Sequence, residues 1–366
     1  MDMNLHPEAL GALFEMSRDP VLGVDDKQII SFVNPAAAAL LGAQAGMKAV
    51  DLIPEYVLED PAEHFVASAQ VHDKRANISV TRQDGLTLLC YTFLATDASS
   101  ITPTPEKALR EWSNSLMSVR LAMDALLSHT TKDSADGPLL EYFCSLYRDY
   151  YRMKRLCQHM IISSDILNND LPFAPRTIDL KKLCQELCDT VNHFSDSFGV
   201  TLCFHAGDGL FITGADGALI ETMLLNILTN SVAHTGKGGV IHLDLSRQGK
   251  RFILSIRDPG TGIAAEKLPS VFSGGGVPDL ADVNAGAGLG MLIARGVAER
   301  HGGALILESR PEHGTTVRIS IPDTELNTTE LHSPPVADYR LDGLDRVLTE
   351  MSTLLDKKFY NKKMFD

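Results

Sequence analysis

Asn226 and Asn230 stand one helical turn apart in Leu224-Leu225-Asn226-Ile227-Leu228-Thr229-Asn230-Ser231. On a helix that spacing puts both amides on one face, where a side-chain oxygen can bind a hard cation such as Mg²⁺. Downstream come two glycine-rich segments, Asp258-Pro259-Gly260-Thr261-Gly262-Ile263 and Gly286-Ala287-Gly288-Leu289-Gly290, and then Gly314-Thr315 before an alternating strand. Glycine-rich turns let backbone N–H groups approach phosphates. A helix with a metal-binding face, followed in order by turns of this kind, suits a nucleotide.

The ordered set resembles the ATP-binding domain shared by histidine kinases, gyrase, Hsp90 and MutL, with the nearest likeness to the histidine kinases. That family's helix reads Asn-x-x-x-Asn-Ala, and Asn226 to Ser231 is similar to it. The family's sequel is a helix ending in His-Gly-Gly and then a strand pair, matched by residues 291–300, His301-Gly302-Gly303 and residues 304–322. The resemblance spans roughly residues 177 to 323. It implies that Asn230 holds Mg²⁺, that Asp258 reads the adenine amino group of ATP, and that Gly260 and Gly262 permit close approach. It also implies that Gly286, Gly288 and Gly290 flank the phosphates, with Asn226, Phe272, Leu289 and Thr315 completing the cofactor-binding set. A hydrolytic ATPase of the gyrase or Hsp90 kind is disfavoured, since Asn226 sits where those proteins carry the glutamate that activates water.

The first hundred residues read as a separate unit. Pro20 to Asp25 and Ile29 to Asn34 form short strands enclosing a turn, followed by an alanine-rich helix ending Leu40-Leu41-Gly42. This looks like the start of a PAS sensor domain, with residues 76–82 and 86–94 as further strands of its sheet. His64 and His72 read as surface or loop histidines rather than haem ligands.

Between Pro103 and Leu171 the chain turns to helical heptads: Leu109, Trp112, Leu116, Val119, Met123 and Leu126, then Leu139, Phe143, Leu146, Tyr150, Met153, Cys157 and Met160. One antiparallel helix pair has too little core to stand alone, so a homodimer forming a four-helix bundle is expected. Position and length are similar to the dimerisation and phosphoacceptor module of histidine kinases. There the chain departs from the family. The family's Ser-His-Glu-Leu-Arg-Thr-Pro aligns with Ser113-Asn114-Ser115-Leu116-Met117-Ser118-Val119, so Asn114 stands at the phosphoacceptor position. An amide nitrogen, its lone pair delocalised into the carbonyl, is neither basic nor nucleophilic, unlike imidazole. The nearest histidines are His129 and His159. Each is a possible displaced acceptor, though a solvated or packed histidine is the preferred reading.

The segment corresponding to the ATP lid holds Phe272, similar to the family's phenylalanine box, then Ser273-Gly274-Gly275-Gly276, Asp279 and Asp282, and no Lys or Arg. Phosphoryl transfer relies on cations around the γ-phosphate. Lys237 and Arg295 are the candidates to supply them, Lys237 reading more simply as turn solvation. Beyond Pro322 lies a polar linker with Pro334-Pro335, then Leu341, Leu344, Leu348, Met351 and Leu355 at heptad spacing. That amphipathic helix, with the basic and aromatic stretch 357–365, is expected to dock within the chain or on a partner.

A length of 366 residues exceeds what one compact core usually serves. No apolar run is long enough for a bilayer, so neither membrane anchor nor signal peptide is expected. The formal charge of −14 argues against a duplex-DNA partner, which would need a basic face. Six cysteines without a Cys-x-x-Cys pair suit a reduced, cytoplasmic chain. Cys184 and Cys188, with His193 beyond, read as core packing before metal binding. The expected fold class is α+β multidomain. It comprises a PAS-like α/β sensor (1–100), a helical-hairpin dimerisation unit (104–171), an α/β-sandwich ATP-binding domain of histidine-kinase type (175–323), and a linker with C-terminal amphipathic helix (324–366). The expected function is an ATP- and Mg²⁺-binding dimeric pseudokinase scaffold. The alternative is an active two-component sensor kinase using a displaced histidine or phosphorylating a partner such as a response regulator.

Overall fold

The computed structural model describes residues 14, 17, 19–71, 74–83, 85–93, 112–113, 115–120, 122–123, 126, 138–272, 288–326 and 344–360. Asn114, His129, His72, Gly286, the lid residues 273–287 with Asp279 and Asp282, the linker 327–343 and residues 361–366 lie outside them.

The N-terminal unit opens with β1 (Val21–Asp25) and β2 (Ile30–Val33), an antiparallel pair. Asp25 organises the turn between them, its Oδ1 accepting from Lys27 N at 3.0 Å and Ile29 N at 2.8 Å. Asn34 then caps α1 (Pro35–Leu41): its Oδ1 accepts from Ala37 N at 2.8 Å and from Val21 N at 2.9 Å. Such a cap is worth about 1 kcal/mol; this one also ties the helix start to β1. Pro35 suits the first helical position, and Gly42 at φ +67° closes the helix. After α2 (Glu55–Glu59) comes a meander of β3 (His64–Val71), β4 (Lys74–Gln83) and β5 (Leu86–Phe93). β3 was not anticipated from sequence, and His64 sits on it, exposed, rather than in a loop.

α3 (Pro138–Leu167) runs the length expected of the second hairpin helix. The described residues between 112 and 126 are helical, and Trp112, Leu116 and Val119 share an apolar groove with Met153, Leu156, Cys157 and Met160 of α3. Arg120 lies over the rings of Tyr150 and Tyr151.

The C-terminal half begins with β6 (Arg176–Asp179), paired with β8 (Ile212–Ala215) in a small ribbon. α4 (Leu180–Asn192) is capped by Asp179 and leads through the short α5 (Ser195–Phe198) to β7 (Thr201–Ala206). α6 (Gly217–His234) is capped by Asp216 and is buried along most of its length. β9 (Val240–Gln248) and β10 (Arg251–Asp258) alternate, burying Ile241, Leu243 and Leu245 on one strand and Phe252, Leu254, Ile256 and Asp258 on the other. α7 (Gly290–Arg300) follows, then β11 (Ala304–Ser309) and β12 (Thr315–Pro322).

The His301-Gly302-Gly303 corner after α7 has a structural cause. His301 Nε2 accepts from Asp216 N at 3.0 Å while Nδ1 lies 2.8 Å from Val297 O, an arrangement that requires neutral imidazole. Burial lowers its pKa in the same sense. Any side chain at Gly303 would meet Ser320 O at 1.9 Å.

All the longer strands join one ten-stranded sheet, in the order β2-β1-β5-β4-β3-β11-β12-β10-β9-β7. The junction is the antiparallel pair β3·β11, with Ile306 opposite Ala67 and Leu307 opposite Val66. Around it Arg318 holds Asp60 through two hydrogen bonds of 2.9 and 3.2 Å, and Arg295 Nη1 donates to Asn77 Oδ1 at 3.2 Å. The chain closes with α8 (Leu344–Glu350), which ends sooner than the heptad pattern predicts; Met351 to Leu355 continue as turns. Val347, Leu348, Met351, Leu355 and Tyr360 nevertheless bury in the same core as α3, α4 and α6. The described part of the segment packs within the chain, with Lys357 pairing with Glu141 at 3.1 Å, while residues 361–365 of the basic stretch lie outside the described residues.

Candidate functional site

Asp258 reaches its place because it ends the alternation of β10 on the buried side, at 5% exposure. Its Oδ2 accepts from Ser231 Oγ on α6 and its Oδ1 from Gly260 N, each at 3.0 Å. The carboxylate is fixed by two donors and keeps acceptor capacity for a third. The turn after it is glycine-dependent: at Gly262, φ is +69° and a Cβ would fall 2.0 Å from Arg310 O. Gly314, at φ +80°, would bring a Cβ within 1.9 Å of Asp258 O. Ser309 Oγ accepts from Ile263 N and donates to Gly314 O, both at 2.9 Å, knitting the two turns together.

A cavity of about 520 Å³ opens beside this corner. Asn230, Asp258, Gly262, Gly288, Leu289, Gly290 and Thr315 all line it, as do Ser231 and Thr261. Three of the anticipated residues take other positions. Gly260 is packed against Asp258 and the His234 carbonyl, behind the lining. Phe272 is fully buried beneath the Arg295 guanidinium, 6.0 Å from its ring centre. Asn226 sits one turn behind Asn230 at 1% exposure: its Nδ2 donates to Thr222 O, and its Oδ1, facing Gly290, has no hydrogen-bond partner among the described residues.

That orphaned amide oxygen bears on a metal. A buried acceptor without a donor carries a desolvation cost of about 1–3 kcal/mol, which a cation can relieve. Asn230, which lines the cavity, could offer a neutral oxygen to Mg²⁺, with the Asn226 oxygen one turn behind it against Gly290; the ion commonly takes few protein ligands and completes its shell with water and phosphate. The residues fit the ion. Cys184 and Cys188, by contrast, are buried in the core, where burial raises the first thiol well above its ordinary pKa and pushes the second up to about 12. They are packing residues, and no group of three or more metal-ligating side chains occurs among the described residues.

The cations differ from those anticipated. Lys237 is exposed on its turn against Gly199, and Arg295 is buried toward Asn77; neither lines the cavity. Arg155 and His159 of α3 do, with Thr353 from the C-terminal segment. Both contact Glu350: His159 Nε2 lies 2.8 Å and Arg155 Nε 3.3 Å from its Oε2. Burial opposes ionisation of Glu350, yet His159 and Arg155 outweigh it and hold the carboxyl below the usual glutamate range. Their i,i+4 spacing was legible, but not which face of α3 meets the cavity. Arg257, Lys267 and Arg310 stand near the glycine turns in sequence, yet none of them lines the cavity.

α7 begins at the cavity with no side-chain cap, so its first amides remain donors for an anion. One buried acceptor, a row of backbone donors, the Asn230 amide and the basic side chains Arg155, His159 and His234 around one space can hold the base, metal and phosphates of a nucleotide.

Comparison with known proteins bears on this geometry. Residues 215–325 match the family model described as histidine kinase-, DNA gyrase B-, and HSP90-like ATPase. The sensor histidine kinase ZraS of Escherichia coli K12 is 30% identical over 149 residues, covering 41% of this chain and 31% of ZraS. The adaptive-response sensory kinase SasA of Synechocystis is 26% identical over 211 residues, covering 57% of this chain and 55% of SasA. The chain thus spans about a third to about half of these relatives. The solved catalytic domain of histidine kinase ThkA is 24% identical, covers 41% of this chain and 97% of its own, and superposes with a TM-score of 0.37. Residues 215–325 therefore belong to the histidine kinase-, DNA gyrase B- and HSP90-like ATPases, and carry an ATP-binding domain of the histidine-kinase type.

Proposed function

We propose that this chain is a dimeric signalling protein of the two-component class that binds ATP and Mg²⁺ without phosphorylating the position now held by Asn114: a pseudokinase scaffold whose nucleotide state sets how its parts are arranged. The nucleotide half of the proposal is carried by the cavity, where Asn230, Asp258, Gly262, Gly288 and Gly290 converge. Asp258 would read the base amine as an acceptor, and the glycine turns and the start of α7 would flank the phosphates. Asn230 would hold Mg²⁺, which when bound neutralises phosphate charge. The absence of transfer is argued from Asn114 itself, an amide where a nucleophile is required.

The N-terminal unit acts as a PAS-like sensor in this proposal, supported by its strand pair and Asn34-capped helix. Dimerisation is supported by an apolar stripe left exposed on α3, comprising Leu139, Tyr142, Leu146, Met153 and Leu156, and by exposed Trp112, Val119 and Leu126. A second copy would cover such a stripe. The proposed setting is cytoplasmic and the proposed partner a response regulator or another signalling protein; no helix among the described residues is long and apolar enough to cross a membrane.

A second reading, an active sensor kinase, draws on one observation: His159 lines the same cavity as Asn230 and Gly290. The experiment that separates the two is incubation of the full chain with Mg²⁺ and γ-labelled ATP, with Asp258→Asn as control. Bound nucleotide without protein label is expected, and Asp258→Asn should lose binding. Acid-labile label that disappears in His159→Gln would establish the kinase instead, and unchanged affinity in Asp258→Asn would refute the pocket.

A further inference from the structure

Arg155 and His159 lie one turn apart on α3 and so share a face. They are 8% and 3% exposed, and both line the cavity beside Asn230, Gly288 and Gly290. The lid segment 273–287 contains no Lys or Arg, and among the described residues the cavity's basic lining is Arg155 and His159 of α3 with His234 of α6. Their shared partner is a single carboxylate, Glu350, which stands at the end of α8. A carboxylate and a terminal phosphate present the same acceptor chemistry to guanidinium and imidazolium. The lining accordingly divides by chemistry. Asp258 accepts and suits an amine, whereas Arg155, a His159 ring N–H and the first amides of α7 can donate and suit phosphate oxygens.

The C-terminal segment that brings Glu350 here is firmly seated. Arg152 Nε donates to Ser352 O at 3.1 Å, Arg155 Nη1 to Thr353 Oγ1 at 3.4 Å, and Tyr360 Oη to Leu348 O at 2.9 Å. Arg346 pairs with Glu221 of α6, and five apolar side chains are buried beneath. What can yield is therefore the Glu350 side chain, through its own rotamers, and not the segment as a whole.

We propose that Arg155 and His159 are the specificity-determining ligands of a nucleoside triphosphate's terminal phosphate, and that Glu350 is the resident anion which that phosphate displaces. The inference rests on the nucleotide reading above. A diphosphate has no group to compete for Arg155 and His159 and leaves Glu350 in place. A triphosphate takes them over and frees the carboxylate, so that occupancy of the cavity is reported directly to the C-terminal segment. Glu350 thereby lowers affinity for the triphosphate while leaving the diphosphate little affected.

The test is calorimetric titration of the full chain with ATP and with ADP, each with Mg²⁺, in Glu350→Gln, in Arg155→Gln and in the double variant that removes both charges. The ratio of ATP to ADP affinity should rise about tenfold in Glu350→Gln and fall about tenfold in Arg155→Gln, the size expected for one charge-assisted hydrogen bond gained or lost. The double variant should follow Arg155→Gln, and decides the matter if the single arginine variant does not fold. A purely structural ion pair would change the melting temperature but leave that ratio where it is in every variant that binds ADP, and this result would overturn the proposal. Failure of the unmodified chain to bind either nucleotide would instead remove the nucleotide reading, and this inference with it.

Discussion

Asp258 owes its position to a two-residue period. Phe252, Leu254 and Ile256 bury on one face of β10, and the next position in that alternation is a carboxylate. A charged group there requires donors, which Ser231 and Gly260 supply. The alternation and the glycines after it were legible, because φ near +70° and a backbone approach of 2.0 Å leave glycine as the residue that fits at Gly262. The Ser231 contact was not, since it joins a helix to a strand end. Titration also acts at this scale. Burial raises the Cys184 and Cys188 thiols and the Tyr91 and Tyr360 phenols. In the unfolded chain these groups ionise first as pH rises, so that state binds fewer protons there and stability must fall. The decline should begin near the unfolded thiol value of 9.0, read as a falling denaturation midpoint between pH 8 and pH 10. Alkylation of native protein at pH 8 should spare both cysteines and modify them once denaturant is added. Rapid native labelling of Cys188 would contradict its placement.

At the scale of elements, α3 does two jobs with different faces. Phe143, Tyr147, Tyr150 and Ile166 pack into the core, with Ile166 against Gly296 of α7, while Leu139, Tyr142, Leu146, Met153 and Leu156 stay exposed. A 30-residue helix with apolar side chains on both faces reads from sequence as one heptad stripe. Its division between core and surface depends on what lies against it. If the proposed dimer forms through this stripe, Leu146→Glu combined with Met153→Glu is expected to leave a monomer by light scattering without loss of helicity, because charges here would desolvate only on association. A dimer unaffected by both changes would mean that another surface joins the copies. The α8 segment teaches a related lesson. Its heptad spacing predicts a helix through Leu355, but the helix stops at Glu350 and the turns after it still bury Met351 and Leu355. Tertiary contacts overrode the local pattern.

For the whole molecule the decisive feature is that two hydrophobic cores share one sheet. Ile306 of β11 belongs to the N-terminal core, and Val66 of β3 to the larger one. The pairing is short, so side chains at its rim matter, above all the two-pronged contact of Arg318 with Asp60, whose side chain is 6% exposed. Asp60→Asn should weaken that contact by about 1–3 kcal/mol, and amide exchange in residues 64–71 and 304–309 should quicken while α6 and β10 keep their protection. Unchanged exchange at β3 would mean that the strand pairing holds the two units together unaided. Sequence alone determined the order of motifs, the helix with its paired asparagines, the glycine turns, and the amide at position 114, because these are local choices of residue and period. It did not disclose β3, whose His-Phe-Val-Ala-Ser-Ala-Gln-Val run follows the Asp60-Pro61 turn but mixes small and polar residues among few large apolar ones. Nor did it disclose that the cavity's cations arrive from Arg155 and His159, or that Glu350 meets them. Those partners are separated by 195 and 191 residues. Which of many possible faces and carboxylates come together over such distances is fixed by how helices and sheet bury their shared apolar surface, and only the tertiary structure decides that.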